Sequence, residues 1–172
     1  YSIPILNILG KHVDLTVAHA GKPVKSNGLT FKEMILHTYK IGTLTFIKDN
    51  LYSLACNYDV LIILGDIRWL SYMRLAFYKR RPYRLCFWTI GVSASYSKAF
   101  DEIKRWDKVR NVFMRRADAL IFYSDYPIEK YAHAGFNREK LFVAPNTVEV
   151  KDITMDVNRD ILLFVGTLYK EK

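Results

Sequence analysis

Four short polar groups in this chain each follow directly on an apolar run, and chemistry would sit there. They are Gly65-Asp66 with Arg68, Thr89-Ile90-Gly91, Ser124-Asp125 and Pro145-Asn146-Thr147. In an open α/β sheet, ligands bind beyond the carboxyl ends of the strands. If each apolar run is a strand, the four groups line one edge of a sheet. Asp66 and Arg68 would then set a carboxylate and a guanidinium against a polar or anionic ligand. The same two residues suit an N-cap and a solvated charge in a first helical turn. Thr89, Ser124, Asp125 and Asn146 offer hydroxyls, a carboxylate and an amide, yet such residues also make ordinary turns. The sequence leaves both readings open. His12, His19, His37 and His133 do not fall at metal-ligand spacing with cysteines or carboxylates, so no metal is expected.

The apolar runs that must position these groups are 60–64, 85–88, 119–123 and 141–144. Each is short and continuous, the pattern of a strand buried on both faces. Between them lie helical patterns. Trp69, Leu70, Met73 and Phe77 form one stripe, with Lys79, Arg80 and Arg81 in its last turn and Pro82 as its stop. Residues 101–117 form another, with Ile103, Trp106, Val109 and Phe113 inward. A third enters at Pro127, which needs no N–H there, and stops near Gly135. The strands on either side of it, 119–123 and 141–144, should therefore lie parallel.

Upstream, a helix starts within 1–9 with Pro4 in its first turn. Strands follow within 13–20 and around Met34, Ile35 and Leu36. Thr43 is placed to cap a helix with Leu44, Ile47, Leu51, Leu54 and Ala55 on one face. Strands alternating with helices predict an α/β fold with a Rossmann-like, doubly wound parallel sheet. Residues 149–160 have linker character, and 161–165 (ILLFV) read as one more buried strand.

Composition narrows the class. The chain has 172 residues, 51% of them hydrophobic, enough for one domain with a real core. No apolar run approaches the ~20 residues a membrane span needs. The start, YSIPILNILGKHVDL, shows neither a basic leader nor a cleavage pattern. Cys56 and Cys86 sit among apolar residues and read as buried thiols of a cytoplasmic protein. The net charge of +9 favours anionic partners. Two basic, aromatic stretches, 68–81 and 104–116, suit the anionic inner face of a membrane, or are simply solvated. No nucleic-acid module, G-x-G-x-x-G or Walker A run is present.

Residues 115–148 carry a more specific signal. Ala117, Asp118, Ser124, Asp125, Gly135, Phe136, Lys140, Val143, Pro145, Asn146 and Thr147 fit a pattern A-D…S-[DE], helix, G-[apolar]-x-x-x-K-[apolar]-x-V-x-P-N-[GT]. This resembles the end of the N-terminal domain in family-4 glycosyltransferases of the GT-B fold. The stretch ILLFVGTLYKEK resembles the opening of the second domain in the same family. The resemblance implies a metal-independent, retaining transferase with no cofactor beyond its substrates. It would move a sugar from a nucleotide-sugar donor to a polysaccharide or lipid-linked acceptor. Residues 1–148 would be the acceptor-side domain, 149–160 the linker and 161–172 the start of the donor domain.

The match departs from the family at two places. Ile90 stands where relatives often carry a histidine, and Thr167 where they carry an arginine that helps hold the donor diphosphate. Lys172 matches the lysine of the family's E-K pair. The family also has a central first strand ahead of the segment that resembles 1–9. The chain therefore reads as a fragment, inactive alone, in which 161–165 occupies the vacant strand position in its own chain or in a strand-swapped homodimer. A stand-alone Rossmann-like module for an anionic ligand or nucleic acid is the competing reading.

Overall fold

The computed structural model describes residues 3–92 and 105–145, and every structural statement concerns these residues. The elements run α1 (Ile3–Leu9), β1 (Thr16–Ala20), β2 (Lys32–Leu36), β3 (Thr38–Ile41), β4 (Leu44–Ile47), α2 (Leu51–Ala55), β5 (Val60–Leu64) and α3 (Leu70–Arg74). They continue with β6 (Arg84–Thr89), α4 (Arg105–Met114), β7 (Ala119–Phe122), α5 (Tyr126–His133) and β8 (Leu141–Val143).

The apolar runs at 60–64, 85–88, 119–123 and 141–144 do form a four-stranded parallel sheet, in the order β5-β6-β7-β8, but burial on both faces fails for the outer strands, where Val60, Ile62, Leu64, Phe142 and Val143 are exposed. Each of these strands reaches its neighbour through a crossover, as parallel pairing demands. One face of the sheet is the core. Leu85, Phe87, Leu120 and Phe122 are fully buried there against Ala55 of α2, Met73 of α3, Met114 of α4 and Tyr131 of α5. Each large apolar side chain so buried contributes about 1.5–3 kcal/mol. Helices α2 to α5 thus cover a single face. The strands advance in one direction, and the reversal of order that defines a doubly wound sheet is not among the described pairings. β1 and β2 instead form a parallel pair of their own.

The helix expected from Thr43 is half strand. Residues 38–47 make an antiparallel hairpin, β3-β4, with Thr38 opposite Ile47 and a two-residue turn at Gly42-Thr43. Leu44 and Ile47 sit three apart and mimic a helical stripe, but Thr45 and Ile47 are the buried positions, which is strand alternation. The hairpin is held from outside itself. Thr45 N–H donates to the Arg68 carbonyl (2.8 Å) and Ile47 N–H to Ser71 Oγ (2.9 Å). Only α2 survives of that helix, capped by the Asn50 side chain, which accepts from Ser53 N–H.

Three smaller expectations also change. α3 is a short helix continued by a 3-10 turn, Leu75–Phe77, so Lys79, Arg80 and Arg81 lie beyond its end. On α4, Val109 is exposed, while Asp107 and Met114 are buried. Cys56 is exposed and Cys86 half-buried, so neither is the fully buried thiol expected.

The β1–β2 pair carries an ionic tie. His19 Nε2 lies 2.8 Å from Glu33 Oε1, and that carboxylate also accepts from Val24 N–H at 2.7 Å. The hydrogen bond to Glu33 raises the His19 pKa, and the His19 and Val24 donors lower that of Glu33. The His19 contribution is complete below its ordinary value of about 6.5 and fades as pH rises through the raised one. The Glu33 contribution is complete above about 4.3 and fades as pH falls through the lowered one. The tie is therefore strongest between those two values. An NMR titration should show His19 ionising above a model histidine, and Glu33→Gln should return it towards the model. An unshifted His19 would remove the tie.

Candidate functional site

β5, β6 and β7 end side by side, so the loops after them share one edge of the sheet. Thr89 braces that edge. Its Oγ1 donates to the Gly65 carbonyl (3.3 Å) and accepts from Gly91 N–H (3.2 Å). A Cβ on Gly65 would lie 2.9 Å from that of Thr89, so the two strand ends meet this closely only with glycine there. Thr89 is buried and its hydroxyl is used within the fold. Ile90, next in the chain, is exposed, while Gly91 is buried against Phe122 and Pro127.

Asp66 and Arg68 act as one pair. Asp66 Oδ1 accepts from Arg68 N–H at 2.9 Å, and Oδ2 accepts from Arg68 Nε (2.9 Å) and Nη2 (2.5 Å). Partial burial pushes the Asp66 carboxyl up, but the hydrogen bonds and charge of Arg68 outweigh it and hold the pKa below the usual carboxylate value. The Arg68 guanidinium is mostly exposed and can still turn an edge to an incoming anion. An anion would compete with Asp66 for it. Asp66 is not the N-cap expected of it, since Trp69 holds that position in α3; its carboxylate is taken up by Arg68, whose guanidinium remains open to solvent.

Ser124 and Asp125 stand exposed between β7 and α5. Asp125 occupies the N-cap position, yet its side chain makes no cap hydrogen bond. Its carbonyl accepts from Ile128 N–H, and the buried Pro127 seats the first turn. Strands spaced about 4.8 Å apart put the ends of β5 and β7 roughly 10 Å from each other. Asn146, Thr167 and Lys172, the other residues singled out from sequence, lie outside the described residues.

The structure adds two residues that sequence reasoning missed. Asp107 and Arg110 of α4 form an ion pair at 2.8 Å, both largely buried, and Arg110 Nη2 donates to the Gly91 carbonyl (3.4 Å). Arg110 Nε is buried with no hydrogen-bond partner. The pair supports the loop after β6 from below. The signal was an acid and an arginine three apart on a helix, masked by the apolar stripe one residue out of phase.

Two cavities lie elsewhere. One of about 450 Å³, lined by Lys79, Arg81, Tyr83, Arg84 and Asp118, opens at the amino ends of β6 and β7. The other, about 240 Å³, lies between the end of α5 and β8. Among the described residues no cluster of three or more His, Cys, Asp or Glu could hold a metal ion, and no helix is long and apolar enough to cross a membrane.

Fold and edge together define a mixed α/β protein whose four-stranded parallel sheet is flanked by helices and presents polar loops at its carboxyl edge. No family model, curated protein or solved structure matches the chain.

Proposed function

We propose that the chain is the acceptor-side part of a retaining GT-B glycosyltransferase of family 4, with a Rossmann-like sheet as its frame. One observation carries the reading. The motif-bearing stretch is a parallel β7-α5-β8 unit, and it sets Ser124 and Asp125 exposed at the strand end where an acceptor would bind. In this reading Arg68, Ser124 and Asp125 contact the acceptor, Asp66 orients Arg68, and Thr89 and Gly91 shape the floor. Ile90 offers an apolar contact in place of the family's histidine. The nucleotide-sugar diphosphate is held by groups of a second domain, beginning with Thr167 and Lys172. The acceptor is a polysaccharide or a lipid-linked sugar at the cytoplasmic face of a membrane. The basic residues then favour anionic lipid.

The test is thermal denaturation of the full-length protein that contains this chain, beside the chain alone, against UDP-, GDP- and ADP-sugars. Specific binding at a hundredfold excess over Kd stabilises by about 2.7 kcal/mol. A rise in Tm for the longer protein with one donor class, and none for the chain, is expected. In the longer protein Asp125→Asn should then lower kcat/KM at least tenfold, with donor-induced stabilisation unchanged. No donor shift in either, together with steep salt-dependent binding of the chain to generic DNA, would replace the enzyme with the anion-binding module.

A further inference from the structure

The edge of the sheet opposite the polar loops has a concave site of its own. The cavity of about 450 Å³ at the amino ends of β6 and β7 falls within the ~300–1,000 Å³ range of small-ligand sites. Its charged lining is Lys79, Arg81 and Arg84 with a single acid, Asp118. Three cations against one carboxylate leave two positive charges unbalanced. The floor is fixed. The buried Tyr83 hydroxyl donates to the Leu75 carbonyl (3.2 Å). Arg81 donates to the carbonyls of Ala76 (3.3 Å) and Arg116 (2.9 Å) and to Asp118 Oδ2 (2.7 Å). Carbonyls where helices end repel an anion, and three of them are already occupied by these donors. The rim differs. Lys79 stands exposed in the turn before Pro82. The Arg84 side chain is 78% exposed and meets Asp118 only at 3.4 Å. An exposed pair of that kind contributes little, so an incoming anion can take the guanidinium.

We propose that this cavity binds a phosphomonoester dianion. Arg84 offers its planar fork to two phosphate oxygens, and Lys79 adds a point charge from the other rim. Arg81 stays on Asp118 and keeps the floor positive and rigid. The two unbalanced charges match a dianion better than a diester, which carries one. The concave shape suits a single phosphate group. A nucleic-acid duplex would instead need a row of phosphate contacts along an extended basic surface.

The same chemistry occurs on a small soluble phosphate ester and on the headgroup of phosphatidic acid, and both fit the lining. The site is built from described residues; the strand expected at 161–165 lies outside them. It sits at the far end of the strands from Ser124 and Asp125, so it stands whether or not the chain belongs to a glycosyltransferase.

The test is calorimetric titration of the full-length protein with inorganic phosphate and glycerol 3-phosphate at constant ionic strength, beside flotation with phosphatidylcholine vesicles carrying phosphatidic acid. Diethyl phosphate and phosphatidylglycerol vesicles are the diester controls. The expected result is saturable binding of the monoesters, at least tenfold tighter than the diesters. Binding of glycerol 3-phosphate assigns a soluble ligand, and binding of phosphatidic acid alone assigns the headgroup. Lys79→Gln with Arg84→Gln should weaken binding at least tenfold. Both residues are exposed, so Tm should stay within about 2 °C. Arg74→Gln with Arg80→Gln removes the same charge outside the cavity lining and should leave the affinity unchanged. No saturable binding of any monoester, equal binding of the diesters, or equal loss in the two variant pairs overturns the proposal.

Discussion

Gly91→Ala is expected to destabilise the protein by about 2–5 kcal/mol, lowering Tm by roughly 5–15 °C for a chain of this size. Two effects add. Gly91 has φ of +77°, a conformation that costs any residue with a Cβ about 1–2 kcal/mol. The added methyl would also fall 2.7 Å from Pro127 Cβ and 2.8 Å from the Phe122 ring. Neither neighbour can give way easily, because Pro127 is locked into the first turn of α5 and Phe122 is fully buried in β7. Relief by moving the loop would pull the Gly91 carbonyl from Arg110. Thermal or urea denaturation measures the loss. A change below 1 kcal/mol would mean that the loop after β6 relaxes freely and does not form a rigid floor.

Asp118→Ala should cost about 2–4 kcal/mol, although Asp118 is far from the carboxyl edge. Its Oδ2 accepts from Leu85 N–H (2.8 Å) and from Arg81 Nη2 (2.7 Å), and its own N–H donates to the Leu85 carbonyl (2.8 Å). Arg81 also donates to the carbonyls of Ala76 and Arg116. This one cluster fastens the start of β7 to β6, to the turn after α3 and to the end of α4. Alanine would strand a largely buried guanidinium and a strand N–H. Burial pushes the Asp118 carboxyl up, but the Leu85 N–H and Arg81 outweigh it and hold the pKa below the usual value. A lowered carboxyl stabilises the fold above its unfolded pKa of about 3.9, and the contribution is lost as pH falls through the folded value. The acid limb of the stability curve should therefore flatten in Asp118→Asn. A variant with wild-type acid sensitivity and wild-type Tm would show that the cluster holds nothing.

The Asp118 cluster also bears on the family motif. Within the A-D…S-D pattern, Ala117 and Asp118 lie at the amino end of β7, where they build the sheet. Ser124 and Asp125 lie at the other end, exposed to solvent. A motif read from sequence mixes residues bonded into the sheet with residues exposed beyond it, and only their ends of the strand separate them.

The sequence by itself determined the parallel sheet. Continuous apolar runs at 60–64, 85–88, 119–123 and 141–144, each bounded by turn residues, read as strands of one parallel sheet, although only β6 and β7 lie between described neighbours and the outer strands keep exposed apolar side chains. It also determined the β7-α5-β8 unit, because Pro127 and Gly135 are punctuation whose meaning is local. Tertiary structure decided the rest. Residues 44–47 satisfy a helical stripe and a strand equally, and hydrogen bonds to Arg68 and Ser71, over twenty residues away, chose the strand. On α4 Phe113 packs against the core as expected, but Asp107, Arg110 and Met114 are buried in place of Val109, because the acid and the arginine satisfy each other and Arg110 reaches the Gly91 carbonyl. No window of sequence contains that partner. Asp66 was expected to face a ligand or cap a helix, and the reach of the Arg68 side chain back onto its carboxylate is a contact that neither expectation contained. Local pattern specifies what a segment can be. Which option is taken depends on contacts that exist only once distant segments meet.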